Sequence, residues 1–302
     1  MGIVHKLIEE KGKAGALRAN LDRRIVEAAA QYMSSQEPGI GFAFNGWAQA
    51  ALPHRRLAND AAWKIESGDV TLMVQPGQRR TPSGKVEFIG VPYGSRARLI
   101  ILYLQTEALR TGSREVELGR SLRAWLMQLG IPLGGKSIRD VRDQTERILR
   151  CRLTFEVNQQ GCHGIIHQHI VDAAMFEGEG ARHGAMMVDR VLLCDSFFKR
   201  LMRSPVRIEK AAIRAINNNS MAIDVYCWLA HYLPQLTEDH MLSWSALQVQ
   251  FGSRFQRPDH FRARFLENLG LALAVYRNAG VDVMRDGLLL HASGSPTAAT
   301  SV

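Results

Sequence analysis

Over residues 2–33 the apolar positions Leu17, Leu21, Ile25, Ala28, Ala29 and Tyr32 recur at three- and four-residue steps among Arg and Glu, a spacing that predicts helix. Ser34 to Gly41 break the pattern with Pro and Gly, so residues 1–35 read as an appended helical arm. Residues 42–95 change to short apolar runs, Val70 to Val74 and Val86 to Val91, with PGQRRTPSGK between them. That text predicts two hairpin strands and their loop.

From Arg96 the order of the elements becomes informative. Arg98 to Arg110 has the spacing of an amphipathic helix and Glu115 to Leu118 that of a short strand. Ser121 to Leu129 reads as a second helix, stopped by Gly130 and Pro132. Lys136 to Arg150 reads as a third, with Ile138, Val141, Thr145, Ile148 and Leu149 on one face. Leu153 to Val157 and Gly164 to Val171 follow as strands joined by the polar link NQQGCH. Helix, strand, helix, turn, helix and two strands make the order of a winged helix.

The same order returns about 120 residues later, as it would in two tandem modules. Met221 to Leu233 is a helix closed by Pro234, Met241 to Ser243 a strand, and Ser245 to Phe251 a helix ended by Gly252. Pro258 to Tyr276 is a long helix with Pro at its start, and Val281 to Met284 and Leu288 to His291 flank the tight turn RDG. The expected architecture is α+β: two tandem winged-helix domains, residues 36–178 and 185–302, behind the N-terminal arm. EGEGARHGAMMVDR at 177–190 reads as a wing tip or linker, and Leu192 to Met202 and Ile208 to Ile216 as the lead into the second module.

Charge gives these modules a partner class. Among 302 residues, 38 Lys+Arg against 29 Asp+Glu leave a net charge of +9, which favours a polyanion. The excess is concentrated: residues 96–152 hold 12 basic and 6 acidic residues, and residues 199–214 hold 6 and one. Cys151, Cys162, Cys194 and Cys227 are far apart with no CxxC pair, which suggests neither a disulfide framework nor a zinc knuckle and fits a reducing cytoplasm. Apolar runs fall short of a membrane span, so no membrane partner is expected.

In a winged helix the last helix enters the major groove, where outward side chains reach base edges. In the second module Phe261, Phe265, Leu269, Ala272 and Tyr276 mark the inward face, leaving Arg257, His260, Arg264 and Asn268 as candidate base readers. Arg pairs with guanine and Asn with adenine in the geometry such readout uses. In the first module Lys136, Arg139, Arg142 and Arg147 share their helix with Asp140, Asp143 and Glu146, and the acids predict phosphate contact or positioning rather than base reading. Arg96, Arg98, Arg120 and Arg123 at the starts of the earlier helices are further candidate phosphate contacts.

Enzymatic alternatives are weaker. Cys162, His163, His167 and His169 lie close in sequence and could hold a metal, and His-Gln-His resembles the metal motif of rolling-circle nicking enzymes. Its middle residue differs from that motif, and no helix with paired tyrosines accompanies it. GIPLGGK at 130–136 resembles a phosphate-binding loop superficially. No metal, nucleotide or other cofactor is expected.

Longer stretches point to one family. ALPHRR at 51–56, Trp63 and VTLMVQPG, then VPYGSRARLIILYLQTEALRTGSREVELGRSLRAWLMQLGI at 91–131, GGKSIRDVRDQTERILRCRLTF and DGLLLHAS resemble the plasmid-encoded RepA replication initiators over about residues 36–291. The resemblance implies a protein that binds repeated double-stranded sites at a plasmid origin, promotes opening and recruits host replication initiator and helicase proteins. Self-dimers that repress the protein's own gene are part of the same implication. A winged-helix repressor without a replication role and a metal-dependent nickase are the alternatives.

Overall fold

The computed structural model describes residues 2–35, 39–67, 70–132, 134–159, 162–176 and 188–297. The N-terminal part carries α1 (Ile3–Arg18), α2 (Arg23–Met33) and β1 (Ile40–Phe44). Then come β2 (Trp63–Ser67), β3 (Val70–Gln75), β4 (Gly77–Arg80), β5 (Val86–Gly90) and α3 (Gly94–Thr111). β6 (Glu115–Glu117), α4 (Gly119–Gln128), α5 (Gly135–Arg150), β7 (Arg152–Gln159), β8 (Cys162–Gln168), β9 (Val171–Phe176) and β10 (Val188–Leu193) follow. The chain goes on through α6 (Asp195–Arg203), β11 (Pro205–Glu209), α7 (Lys210–Ile216) and α8 (Ser220–Tyr232). It closes with β12 (His240–Ser243), α9 (Trp244–Gly252), α10 (Pro258–Ala274), β13 (Gly280–Val283) and β14 (Gly287–His291).

This mixed helix-and-sheet chain forms two compact units, one of Met1–Gln49 with Val206–Val302 and one of Ala50–Pro205. The N-terminal helices are therefore grouped with the C-terminal unit. Their expected single helix is interrupted twice: α1 kinks at Gly12, φ 65°, and Ala19 to Asp22 turn through Asn20 at φ 56° before the Asp22 side chain caps α2 by accepting from Arg24 N–H at 2.8 Å. A Cβ on Gly270 would lie 2.5 Å from Ile25 Cδ1, so the missing side chain is what lets α2 lie close against α10. His5 adds a 2.9 Å bond to the Ala274 carbonyl; burial lowers its pKa and keeps the ring neutral.

In the discontinuous unit α8 is buried nearly all round, from Met221 to Ala230, as a helix apolar on every face must be. Phe251, Phe261 and Phe265 stack against it and each other, with ring centroids 5.3 and 5.5 Å apart. Phe261, Phe265, Leu269, Ala272 and Tyr276 are all buried, the inward face that the spacing predicted. Strands β12, β14 and β13 form an antiparallel sheet in that spatial order.

In the continuous unit α3 is the central element, its residues 97–106 buried and its end set by Gly112 at φ 66°. The α5 side chain Gln144 accepts from Tyr93 N–H at 2.8 Å, tying α5 to the start of α3. Strands β6, β10 and β9 form an antiparallel sheet in the order β6-β10-β9. The sheet partners correct the expected wing. Strands β7 and β8 pair with each other, but β7 also pairs with β3, giving a four-stranded sheet β2-β3-β7-β8. The strands that complete the three-stranded sheet are β9 and β10 instead; residues 177–187 between them, most of the expected wing tip or linker, lie outside the described residues. Nor does β3 pair with β5: β5 pairs with β4, a strand that had been expected as loop.

The two units thus share one order: helix, strand, helix, helix, strand, strand, with the first strand beside the last. The continuous unit differs by the β7–β8 hairpin inserted after its third helix.

Candidate nucleic-acid interface

The third helix of each set, α5 and α10, carries the cations singled out from sequence, and the structure divides them. On α10, Arg257 is the N-cap residue before Pro258, exposed, with Nε 3.1 Å from Asp259 Oδ1. His260 is exposed. Arg264 is half exposed, its Nη1 2.7 Å from Glu267 Oε2. These three stand on the open first half of the helix. Beyond them α2 flanks it, with Arg24 reaching Glu267 at 3.4 Å.

Asn268 is a correction. It is 1% exposed, and its amide donates to the Arg264 carbonyl one turn back at 2.6 Å, so it faces the core and reaches no base. Its expected place is opposite the inward face, but it stands three residues from Phe265 and seven from Phe261, the spacing that brings a helical residue to the same side.

On α5, Lys136 and Arg139 are exposed and their side chains make no hydrogen bond or ion pair among the described residues. Arg142 is exposed. On α4 the exposed Arg120 and Arg123 likewise have no partner among the described residues. The start of α5 has no side-chain cap, so its first N–H groups remain available to an anion beside Lys136.

Arg147 and Arg98 are corrections as well. Arg147 is 2% exposed; its Nε lies 2.9 Å from Asp143, its Nη1 donates to the Val91 carbonyl, and its guanidinium lies 5.2 Å over the Tyr93 ring. Arg98 is 6% exposed and donates to the carbonyls of Leu52 at 2.6 Å, Gly94 at 2.9 Å and Pro53 at 3.3 Å. These bonds give the ALPHRR stretch a structural role: the segment wraps the start of α3, and Trp63 Nε1 closes it with a 2.8 Å bond to the Ala51 carbonyl. His54 in that wrap is pushed down to about 3, first by burial and then by Arg98, so it stays neutral. Arg96 is half-buried, its pKa lowered by burial with Asp140 opposing. It belongs to the margin of the α3–α5 packing rather than to an open face.

Sequence reasoning passed over some exposed cations. Arg285, on the turn between β13 and β14, is exposed, and its carbonyl accepts from Trp244 Nε1 at 3.0 Å. The indole also carries the Arg262 guanidinium 4.8 Å from its centroid. The RDG turn is legible in the sequence; the exposure of its arginine is not.

The side chains of Cys162, His163 and His167 lie outside the described residues, and His169 Nδ1 is 3.1 Å from the Cys151 carbonyl. Residues 130–137 do hold the spacing GxxxxGKS, more of the phosphate-loop pattern than a superficial likeness. That loop joins a strand to a helix, whereas this segment joins the helices α4 and α5. Among the described residues no group of three or more His, Cys, Asp or Glu side chains could hold a metal, and no helix is long and apolar enough to cross a membrane.

A search of curated proteins finds no match to the chain. Among solved structures it is similar to a crystal structure of domains 2 and 3 of RctB, with a TM-score of 0.51 at 12% identity over 75% of this chain and 83% of that one. A second structure of RctB domains 2–3 aligns with a TM-score of 0.46 at 10% identity over 82% and 94%. At such identity the first likeness is one of fold. The model of plasmid-encoded RepA proteins matches residues 91–246, just over half of the chain and the span that holds α3 to α8, and the chain therefore belongs to the plasmid-encoded RepA protein family.

Proposed function

We propose that the chain initiates plasmid replication by binding repeated double-stranded DNA sites at the origin, helping to open the duplex and recruiting host replication initiator and helicase proteins. The observation that carries this is the repeated order of three helices and three strands in the two units, with exposed cations on the third helix of each. We take each set as a winged helix, one spanning α3 to β10 and the other α8 to β14. Family membership supplies the plasmid context.

In this reading Arg257, His260 and Arg264 on α10 read bases, while Lys136, Arg139 and Arg142 on α5 with Arg120 and Arg123 on α4 hold phosphates. The ion pairs on α10 do not prevent readout. An exposed pair is worth about 0–1 kcal/mol, against about 1–3 kcal/mol for a bidentate contact with guanine, so Arg264 exchanges Glu267 for a base edge at a net gain. The protein acts by binding energy and not by catalysis, and a self-dimer would repress its own gene.

Footprinting on the plasmid's own origin at stated salt, with EDTA present, tests the reading. The expected result is a periodic set of protected sites, unaffected by the chelator. No protection, or protection no stronger than on random DNA, would overturn origin binding; loss with EDTA and recovery with zinc would make the segment from Cys162 to His169 a metal site.

A further inference from the structure

The hairpin β4–β5 lies on the outward side of α5. A Cβ on Gly77 would fall 2.3 Å from the Arg150 carbonyl oxygen, so the bare glycine lets the strand rest directly on the last turn of the helix. Arg150 Nη1 donates to the Gln78 carbonyl at 3.2 Å. Arg79 reaches Glu146 at 3.0 Å and Glu87, across the hairpin, at 2.6 Å. From Gly77 to Arg79 the strand rises about 6.6 Å, and from Arg150 back to Glu146 the helix covers about 6 Å. Strand and helix therefore run side by side in opposite directions, and two more residues bring the hairpin's turn roughly level with Arg142.

That turn is well formed. Thr81 N–H donates to the Lys85 carbonyl and Gly84 N–H to the Thr81 carbonyl, each at 2.8 Å, with Gly84 at φ 82°. Arg80 and Lys85 flank it, both exposed, and neither side chain has a hydrogen bond or ion pair among the described residues. The hairpin's one acid, Glu87, is already held by Arg79. The stretch that the sequence predicts as a plain loop is thus a hydrogen-bonded basic hairpin whose strand runs along α5 toward its open half.

We propose that this hairpin is a second phosphate-binding element of the continuous unit, with Arg80 and Lys85 gripping the backbone of the duplex that α5 enters; the proposal rests on the duplex-binding reading above. An α-helix with its side chains is about 10–12 Å across and the major groove about 12 Å wide, so the helix fills the groove. A hairpin beside it meets the phosphate wall. Because the hairpin lies along α5 from Arg150 to about the level of Arg142, the turns that bear Lys136 and Arg139 are left to enter.

The test titrates the full chain onto a fluorescent random-sequence duplex of about 30 base pairs at several salt concentrations. Wild type, Lys136→Ala/Arg139→Ala and Arg80→Ala/Lys85→Ala are compared, with thermal melting as the folding control and Arg80→Lys/Lys85→Arg as the charge-preserving variant. Each alanine pair should weaken binding and lower the slope of log K against log salt by about 1.8, or about 0.9 per lost phosphate contact. The charge-preserving variant should keep the wild-type slope. If wild type shows no salt-dependent binding, the duplex reading falls and this proposal with it. If the α5 variant behaves as stated while Arg80→Ala/Lys85→Ala keeps the full slope, or binds more tightly because the hairpin had screened α5, the hairpin proposal alone is overturned.

Discussion

Helices α5 and α10 hold the same place in their two units and distribute charge in opposite ways. On α5 two of the three carboxylates are engaged, Asp143 with the buried Arg147 and Glu146 with Arg79 from the hairpin and Arg150 from its own helix, while Asp140 is exposed. The outward Lys136 and Arg139 are left without partners among the described residues. On α10 the outward arginines are the paired ones, Arg257 with Asp259 and Arg264 with Glu267. An acid on a helix thus dilutes its field only where it is not already satisfied from behind. The helix with more acids in its sequence, α5, is the one on which Lys136 and Arg139 have no side-chain partner among the described residues, while on α10 Arg257 and Arg264 are paired.

The largest effect expected within this comparison separates a buried cation from the exposed ones. Arg98→Ala should destabilise the chain by about 3 kcal/mol in urea denaturation, because it strands buried carbonyls that cost about 1–3 kcal/mol each. Arg123→Ala, exposed on α4, should change stability negligibly. Similar losses for the two would remove the distinction between structural and interface arginines.

Next comes the division of labour. Arg264→Ala should cost about 1–3 kcal/mol at the cognate site and relax preference at one base position, whereas Arg139→Ala should weaken cognate and random DNA alike. Competition with single-base variants of the site decides it, and the contrast breaks if Arg139 changes base preference while Arg264 does not. A smaller effect sharpens the same point. Glu267→Gln releases Arg264 and should tighten cognate binding by less than about 1 kcal/mol; weaker binding would mean that the pair positions the arginine.

The smallest effect concerns pH. His291 on β14 lies 2.9 Å from Asp239 and 3.0 Å from Asp282, and its bonds to these two carboxylates raise its pKa above 6.5. A raised folded value contributes stability that is full below the unfolded pKa and is lost as pH rises through the folded one. The gap in melting temperature between wild type and His291→Gln should therefore shrink as pH rises above 6.5. An NMR titration midpoint at or below 6.5 would contradict the assigned pairing.

Much of this architecture was legible because its signals are local. The helix at 135–150, the helix from Pro258, the RDG hairpin and the return of the same order are set by apolar spacing and by Pro and Gly at fixed places. Strand partners were not legible. Residues 152–168 have the sequence of a hairpin, and they form one, yet nothing local says that β7 joins β3 while β9 and β10, separated by eleven residues, complete the other sheet.

For the candidate site the boundary falls in the same place. By itself the sequence determined which helices present cations, since the 3.6-residue period assigns most side chains to an inward or outward face. It also supplied the family, through stretches that run well beyond any single element. Only the tertiary structure decided which of the polar side chains stay in solvent: Arg98, Arg147 and Asn268 are buried against backbone carbonyls or a carboxylate, while Arg80 and Lys85 are exposed on a hairpin beside α5. A polar side chain is buried where its hydrogen-bonding groups are satisfied, and for Arg98 and Arg147 the carbonyls that do so belong to residues 46 and 56 positions away in the chain, which no local pattern specifies.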